Sequence, residues 1–166
     1  GGADVILIPE IPYRVDAVAE AVLRRSRQGK RFSIVAVAEG ALTPEEAAAG
    51  ESANDDASSP FGPTVSTRLA RQLQERTGLE TRVTALGHLQ RGGTPTPADR
   101  LLATRLGTRC VELIAEGRSN IMVAVRGNQT KPVPLSKVAG EIKRVDPDHP
   151  WVQSARLVGT CFGDSR

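Results

Sequence analysis

Three consecutive pieces of the chain, Val5-Ile-Leu-Ile8, Val15-Asp-Ala-Val-Ala-Glu-Ala-Val-Leu-Arg-Arg-Ser-Arg27 and Phe32-Ser-Ile-Val-Ala-Val-Ala38, decide the fold. The first is a continuous apolar run stopped by Pro9, the pattern of a strand buried on both faces. The second sets Val15, Val18, Val22 and Leu23 at helical spacing. It gathers Arg24, Arg25 and Arg27 near its end, where cations complement the helix dipole, with Gly29 as a stop. The third piece is apolar again. Strand, helix, strand implies a right-handed parallel crossover, and hence an α/β fold. Ligands of parallel sheets bind outside the carboxyl ends of the strands, which places Glu10 and Glu39 on the ligand-facing edge. A carboxylate that ends a strand is also simply solvated in many proteins.

Outward from this core the pattern continues. Thr43 to Pro63 is rich in Ala, Ser, Asp, Glu, Gly and Pro and reads as a surface insertion, with a short helical turn nucleated by Thr43-Pro-Glu-Glu46. Val65 to Arg76 places Leu69 and Leu73 four apart before Gly78, an amphipathic helix with a glycine stop. Glu80 to Leu86 reads as a further strand leading into Gly87 and His88. Pro97 to Glu116 reads as a long helix with Leu102, Leu106, Cys110, Leu113 and Ile114 on one broad face. Asn120 to Val125 is expected as a strand, Leu135 to Lys143 as a short helix and Pro150 to Val158 as a terminal one.

Composition bounds the function classes. With 166 residues and 39% of them hydrophobic, the chain is long enough for a sizeable core, and at 3% aromatic that core is built from Val, Leu, Ile and Ala. The net charge of +3 is spread along the chain, with no run of Lys or Arg longer than two, so nucleic acid is not an expected partner. Cys110 and Cys161 lie far apart and in no metal-ligand spacing, which argues against a disulfide or a zinc site and for a reducing, cytoplasmic setting. No apolar run has the roughly eighteen residues that cross a bilayer, so no membrane association is expected. The chain starts on a strand without an initiator Met and reads as a fragment of something longer.

The chemistry concentrates between Arg82 and Gly93, where twelve residues hold two arginines, one histidine, one glutamine and three glycines. Arg offers planar bidentate donors for phosphate oxygens, His donates to phosphate or hydroxyl, and Gly lets backbone approach a ligand. The same residues also suit a plain surface loop, with the glycines in turns and the arginines solvated. Neither a Walker loop nor a GxGxxG fingerprint occurs, so no standard nucleotide cradle is present.

Leu86-Gly-His-Leu-Gln-Arg-Gly-Gly-Thr-Pro-Thr-Pro-Ala-Asp-Arg100 closely resembles the LGHxQRGGxPxxxDR signature of the phosphofructokinases, and Ile8-Pro-Glu10 and Glu80-Thr-Arg82 extend the match. The resemblance implies Rossmann-like parallel sheets flanked by helices, as part of a two-lobed phosphofructokinase fold. Residues 1–93 would form the sugar-phosphate lobe, 94–145 a return to the phosphoryl-donor lobe, and 146–166 a terminal helix of the sugar lobe. By the same resemblance Glu10 contacts the hydroxyls of fructose 6-phosphate, and His88, Leu89, Gln90 and Arg91 form the loop that binds that sugar phosphate. Arg82 reaches the 6-phosphate held by a neighbouring subunit, which implies a homodimer or homotetramer. The implied phosphoryl donor is ATP or pyrophosphate with Mg2+, held mainly by amino-terminal elements absent from this sequence. The family's donor loop and its Asp base are absent too, so no catalytic base is assigned and the fragment alone is expected to be inactive. The competing reading is a noncatalytic sugar-phosphate-binding or regulatory module. Asp99 matches the signature but, near a helix start, reads first as a cap. His149 and Trp151 read as surface and packing residues.

Overall fold

The structure, a computed structural model, describes residues 2–50, 64–140 and 142–164, without the side chain of Arg91. Residues 51–63 of the expected insertion lie outside the described residues. The chain divides into two compact units, one made of Gly1–Thr84 with Arg144–Arg166 and the other of Ala85–Lys143.

In the first unit, strand β1 (Val5–Leu7) pairs in parallel with β2 (Val35–Val37), Val5 opposite Val35. Helix α1 (Val15–Arg27) connects them. The amide of Ile6 donates to the Cys161 carbonyl at 2.9 Å and that of Cys161 to the Asp4 carbonyl at 3.0 Å, so the chain's last segment flanks β1 on its other side. β1 is thus paired along both edges, with Val5 and Leu7 buried on one face and Ile6 partly buried on the other. Behind it α1 contributes Val18, Ala19 and Ala21, and helix α3 (Val65–Thr77) contributes Leu69 and Leu73, one turn apart. Each such leucine contributes about 2 kcal/mol by leaving water. Asp4 locks the entrance to β2: its carboxylate pairs with Arg25 at 2.9 Å and accepts the amide of Ile34 at 2.8 Å.

A second, smaller cluster of Ile11, Val152 and Phe162 holds helix α5 (Pro150–Leu157). Arg156 grips Asp164 through both terminal nitrogens, at 2.9 and 2.6 Å, and lies 4.8 Å above the Phe162 ring. Gly163 permits this return. Its φ is +76°, and a Cβ there would sit 2.7 Å from Cβ of Tyr13, so only glycine fits.

Two helices start with reciprocal caps. Thr43 and Glu46 close a capping box on α2 (Pro44–Ala48), as Thr96 and Asp99 do on α4 (Pro97–Ala115), each with Pro in the first helical turn. Asp99 is thus a cap, as expected. In the second unit α4 lies against a hairpin of β3 (Ile121–Arg126) and β4 (Gln129–Pro134).

Four points of the sequence reading require correction. Residues 80–86 form no strand: no other strand lies beside them among the described residues, Val83 and Leu86 are about half exposed, and without a ladder an extended segment is not a strand. The described residues of the 135–143 segment form only a 3-10 helical turn, Leu135–Lys137, rather than the expected helix. β4 was not anticipated, because Pro132 and Pro134 argue against a strand. They are tolerated because β4 is paired on one side only, leaving an open edge where a missing N–H costs nothing. The broad apolar face read onto α4 is mostly exposed, with Leu113 alone buried.

Candidate functional site

The carboxyl ends of β1 and β2 come together at two tight turns. Gly40 makes this approach close: a Cβ at that position would lie 3.0 Å from the Pro9 ring. Glu10, in the turn after β1, is half-buried; its Oε1 accepts the amide of Val145 at 3.1 Å, while Oε2 is buried without a hydrogen-bond partner. Glu10 therefore ties the returning carboxy-terminal segment to the end of β1 and keeps one acceptor unused. Glu39, in the turn after β2, is exposed, and its side chain makes no hydrogen bond or ion pair among the described residues. Both expected strand-end carboxylates thus lie at one edge of the first unit, the edge where parallel sheets take ligands.

Arg82 belongs to the same unit, on the segment after α3. The hydroxyl of Thr81 donates to the Ala70 carbonyl and Gln74 Oε1, each at 3.2 Å, anchoring this segment to α3. Arg82 turns its Nε and one terminal nitrogen to Oε1 of Glu80, both at 2.9 Å, with the two side chains 85% and 73% exposed. The role of Glu80 was not read from the sequence. Its signal was the opposite charge two residues before Arg82, the spacing that puts side chains on one side of an extended backbone.

His88, Leu89 and Gln90 lie in the second unit, on the 3-10 turn Gly87–Arg91. The turn is closed by the Leu89 amide on the Leu86 carbonyl at 2.8 Å and bracketed by Gly87 and Gly93, with φ of +46° and +108°. All three side chains are exposed, Leu89 to 73%. Arg91 ends the turn; its side chain lies outside the described residues.

A cleft of about 310 Å³ opens at the amino-terminal end of β1, lined by Asp4, Arg24, Arg25 and Gln28 on one side and Val158 and Gly159 on the other. It contains none of the expected sugar-binding residues. Among the described residues no three His, Cys, Asp or Glu side chains are grouped so as to hold a metal ion, and no helix is long and apolar enough to cross a membrane. Cys110 and Cys161 are free thiols. His149, read as a surface residue, caps α5: its Nδ1 accepts the amide of Trp151 at 3.1 Å.

Parallel strands joined by a helix, with acidic residues at their carboxyl ends, make this an α/β protein. The sequence profile of the Phosphofructokinase family matches residues 1–114. The chain is 48% identical over 182 aligned residues to the ATP-dependent 6-phosphofructokinase of Propionibacterium freudenreichii, covering 99% of this chain and 49% of that protein. It is 51% identical to the protein of the same description from Spirochaeta thermophila, covering 99% of this chain and 45% of that one. Among solved structures it is similar to phosphofructokinase from Saccharomyces cerevisiae, with a TM-score of 0.53 and 33% identity over 82% of this chain and 17% of the yeast chain. The chain belongs to the phosphofructokinase family, and its α/β architecture is that family's fold. It spans about half the length of the curated relatives it matches.

Proposed function

We propose that this chain is the sugar-phosphate-binding part of a cytoplasmic, glycolytic ATP-dependent 6-phosphofructokinase. The observation that carries the reading is the Leu86–Arg100 signature, set within a family match that covers most of the chain. The reaction transfers the γ-phosphoryl group of ATP to the 1-hydroxyl of fructose 6-phosphate. A new O–P bond forms at the sugar, the bond to ADP breaks, and the hydroxyl proton passes to a base outside this sequence. The ATP-dependent description of the relatives supports ATP over pyrophosphate as donor. Mg2+ would neutralise charge on the donor phosphates. Among the described residues no three His, Cys, Asp or Glu side chains are grouped to hold it.

This chain's own residues position the acceptor. His88 and Arg91 bind the sugar phosphate, with Leu89 and Gln90 completing the loop. Arg82 reaches the 6-phosphate bound by a neighbouring subunit, so the working form is a homodimer or homotetramer. Glu10, with one oxygen committed to Val145 and the other unused, both braces the edge and accepts from a sugar hydroxyl. Glu39, exposed and uncommitted beside it, is a second acceptor for the same hydroxyls. Residues 1–93 and 146–166 belong to the sugar lobe and 94–145 to the donor lobe. Since phosphoryl transfer relies on positioning and on electrostatic stabilisation of the moving charge, the 166-residue chain by itself is inactive. In the full-length enzyme Arg91→Ala raises the KM for fructose 6-phosphate at least about tenfold, a charge-assisted pair being lost, and leaves the KM for ATP nearly unchanged. An unaltered sugar KM refutes the assignment.

A further inference from the structure

We infer that Glu80 is an intramolecular competitor for Arg82: it occupies the guanidinium until a phosphate displaces it. The inference rests on the reading of Arg82 as a phosphate ligand. The geometry is direct. Nε and one terminal nitrogen of Arg82 both lie 2.9 Å from Oε1 of Glu80, so the side edge of the guanidinium, one of its bidentate faces for oxyanions, is already taken. The residue between them is fixed, because Thr81 is bonded to the Ala70 carbonyl and Gln74 Oε1 of α3. Exchange of Glu80 for a phosphate therefore needs only side-chain rotation, with the backbone held where it is.

The strength of the pair decides what it can do. At 85% and 73% exposure the ion pair is weak, screened by water and costly in side-chain freedom. A phosphate carrying two charges outcompetes a single carboxylate for the same edge. A sugar without phosphate, or a monoanion, gains too little to do so. Displacement does not remove Glu80, whose charge stays two residues away and opposes the incoming dianion. Glu80 thus costs affinity for every anion: the competition is the same for all, and the residual repulsion grows with the anion's charge. It raises the sugar-phosphate KM.

The test uses the full-length enzyme. Glu80→Gln keeps the side chain's shape and removes its charge, and since both partners are exposed the fold is not at stake. The expected result is a KM for fructose 6-phosphate lowered about two- to fivefold at low ionic strength, the range of an exposed pair. The gain shrinks as salt approaches about 0.5 M, where the screening length is only a few ångströms. Inhibition by hydrogencarbonate, a monoanion, strengthens by a smaller factor than sugar phosphate binding does, because the repulsion removed scales with the anion's charge. In an Arg82→Ala background the same substitution has a clearly smaller effect on KM, because only the residual repulsion by Glu80 is left to remove. A raised KM in Glu80→Gln overturns the inference, because Glu80 would then be orienting Arg82. An equal gain with and without Arg82 also overturns it, by pointing to a general field effect. If Arg82→Ala leaves the sugar KM unchanged while Arg91→Ala raises it, the sugar site stands and this inference falls; if neither raises it, the proposed function falls as well.

Discussion

Tyr13, the chain's single tyrosine, is fully buried between β1 and α3, and its hydroxyl makes no hydrogen bond of good geometry. Burial pushes its phenol above the ordinary 10.0. The neighbouring guanidinium of Arg68, itself paired with Glu46 at 2.6 Å, pulls it part of the way back. The sign follows from linkage: a group whose folded pKa is raised supports the fold below its unfolded value and loses that support as pH rises through the folded one. Stability therefore declines above about pH 10, where the unfolded chain ionises and the folded one resists. Tyr13→Phe removes a buried hydroxyl without a partner, so it changes stability at neutral pH by less than about 1 kcal/mol and flattens the alkaline decline. Urea midpoints at neutral and alkaline pH measure both effects. A loss of several kcal/mol at neutral pH would show that the hydroxyl does have a partner. Nothing in the sequence around Tyr13 marked it, since a lone aromatic after a proline reads equally well as surface. Glu10 was legible as a strand-end carboxylate, whereas its bond to Val145, 135 positions along the chain, depends on tertiary structure that no local pattern carries.

At the scale of elements, local chemistry predicted best where it is self-sufficient. Thr96 accepts the amide of Asp99 at 3.3 Å, and Asp99 returns bonds to the Thr96 amide and hydroxyl at 2.8 and 2.7 Å, a box that needs only four consecutive residues. The hydroxyl of Thr96, and then its amide, hold the Asp99 carboxyl below its ordinary 3.8. A depressed carboxyl supports the fold above its unfolded pKa and loses that support as pH falls through the folded value, so this contribution is intact at neutral pH and disappears below about pH 4. Thr96→Ala removes the larger cause. Its expected result is an Asp99 titration moved up toward the ordinary value, with fraying of the first turn of α4, both visible by NMR; an unmoved Asp99 would count against the box. The helices α1, α3, α4 and α5 were legible for the same reason, as apolar spacing, caps and glycine stops are local. Strands were not. Residues 80–86 have strand composition but no partner, and β4 has two prolines yet pairs along its whole length with β3. A strand is made by its neighbour, and the neighbour is not written in the segment itself.

Across the whole molecule the two units differ in how far each satisfies its own apolar surface. The first buries both clusters, with β1 paired on both sides and α1, α3 and α5 each contributing buried side chains. In the second, Leu113 is the one fully buried apolar side chain among the described residues. Leu101, Val111 and Ile114 on α4 are 66%, 66% and 67% exposed, and the sheet is a hairpin of two strands. A two-stranded hairpin is marginal by itself in water, and an amphipathic helix draws most of its stability from the face it buries. Residues 85–143 therefore lack the burial that would hold them closed, and local opening there costs far less than opening around β1. In the 166-residue chain, amide exchange is expected to be fast throughout α4, β3 and β4 and slow in β1, α1 and α3, by a factor of at least about a hundred, equivalent to roughly 3 kcal/mol of opening free energy. Proteolysis should likewise cut first within 85–143. In the full-length enzyme the same amides gain protection, because the exposed face of α4 is where the proposed donor lobe would complete its core. Equal protection of the two units in the 166-residue chain would mean that residues 85–143 form a self-sufficient domain, and the proposed return of 94–145 to a donor lobe would lose its physical basis.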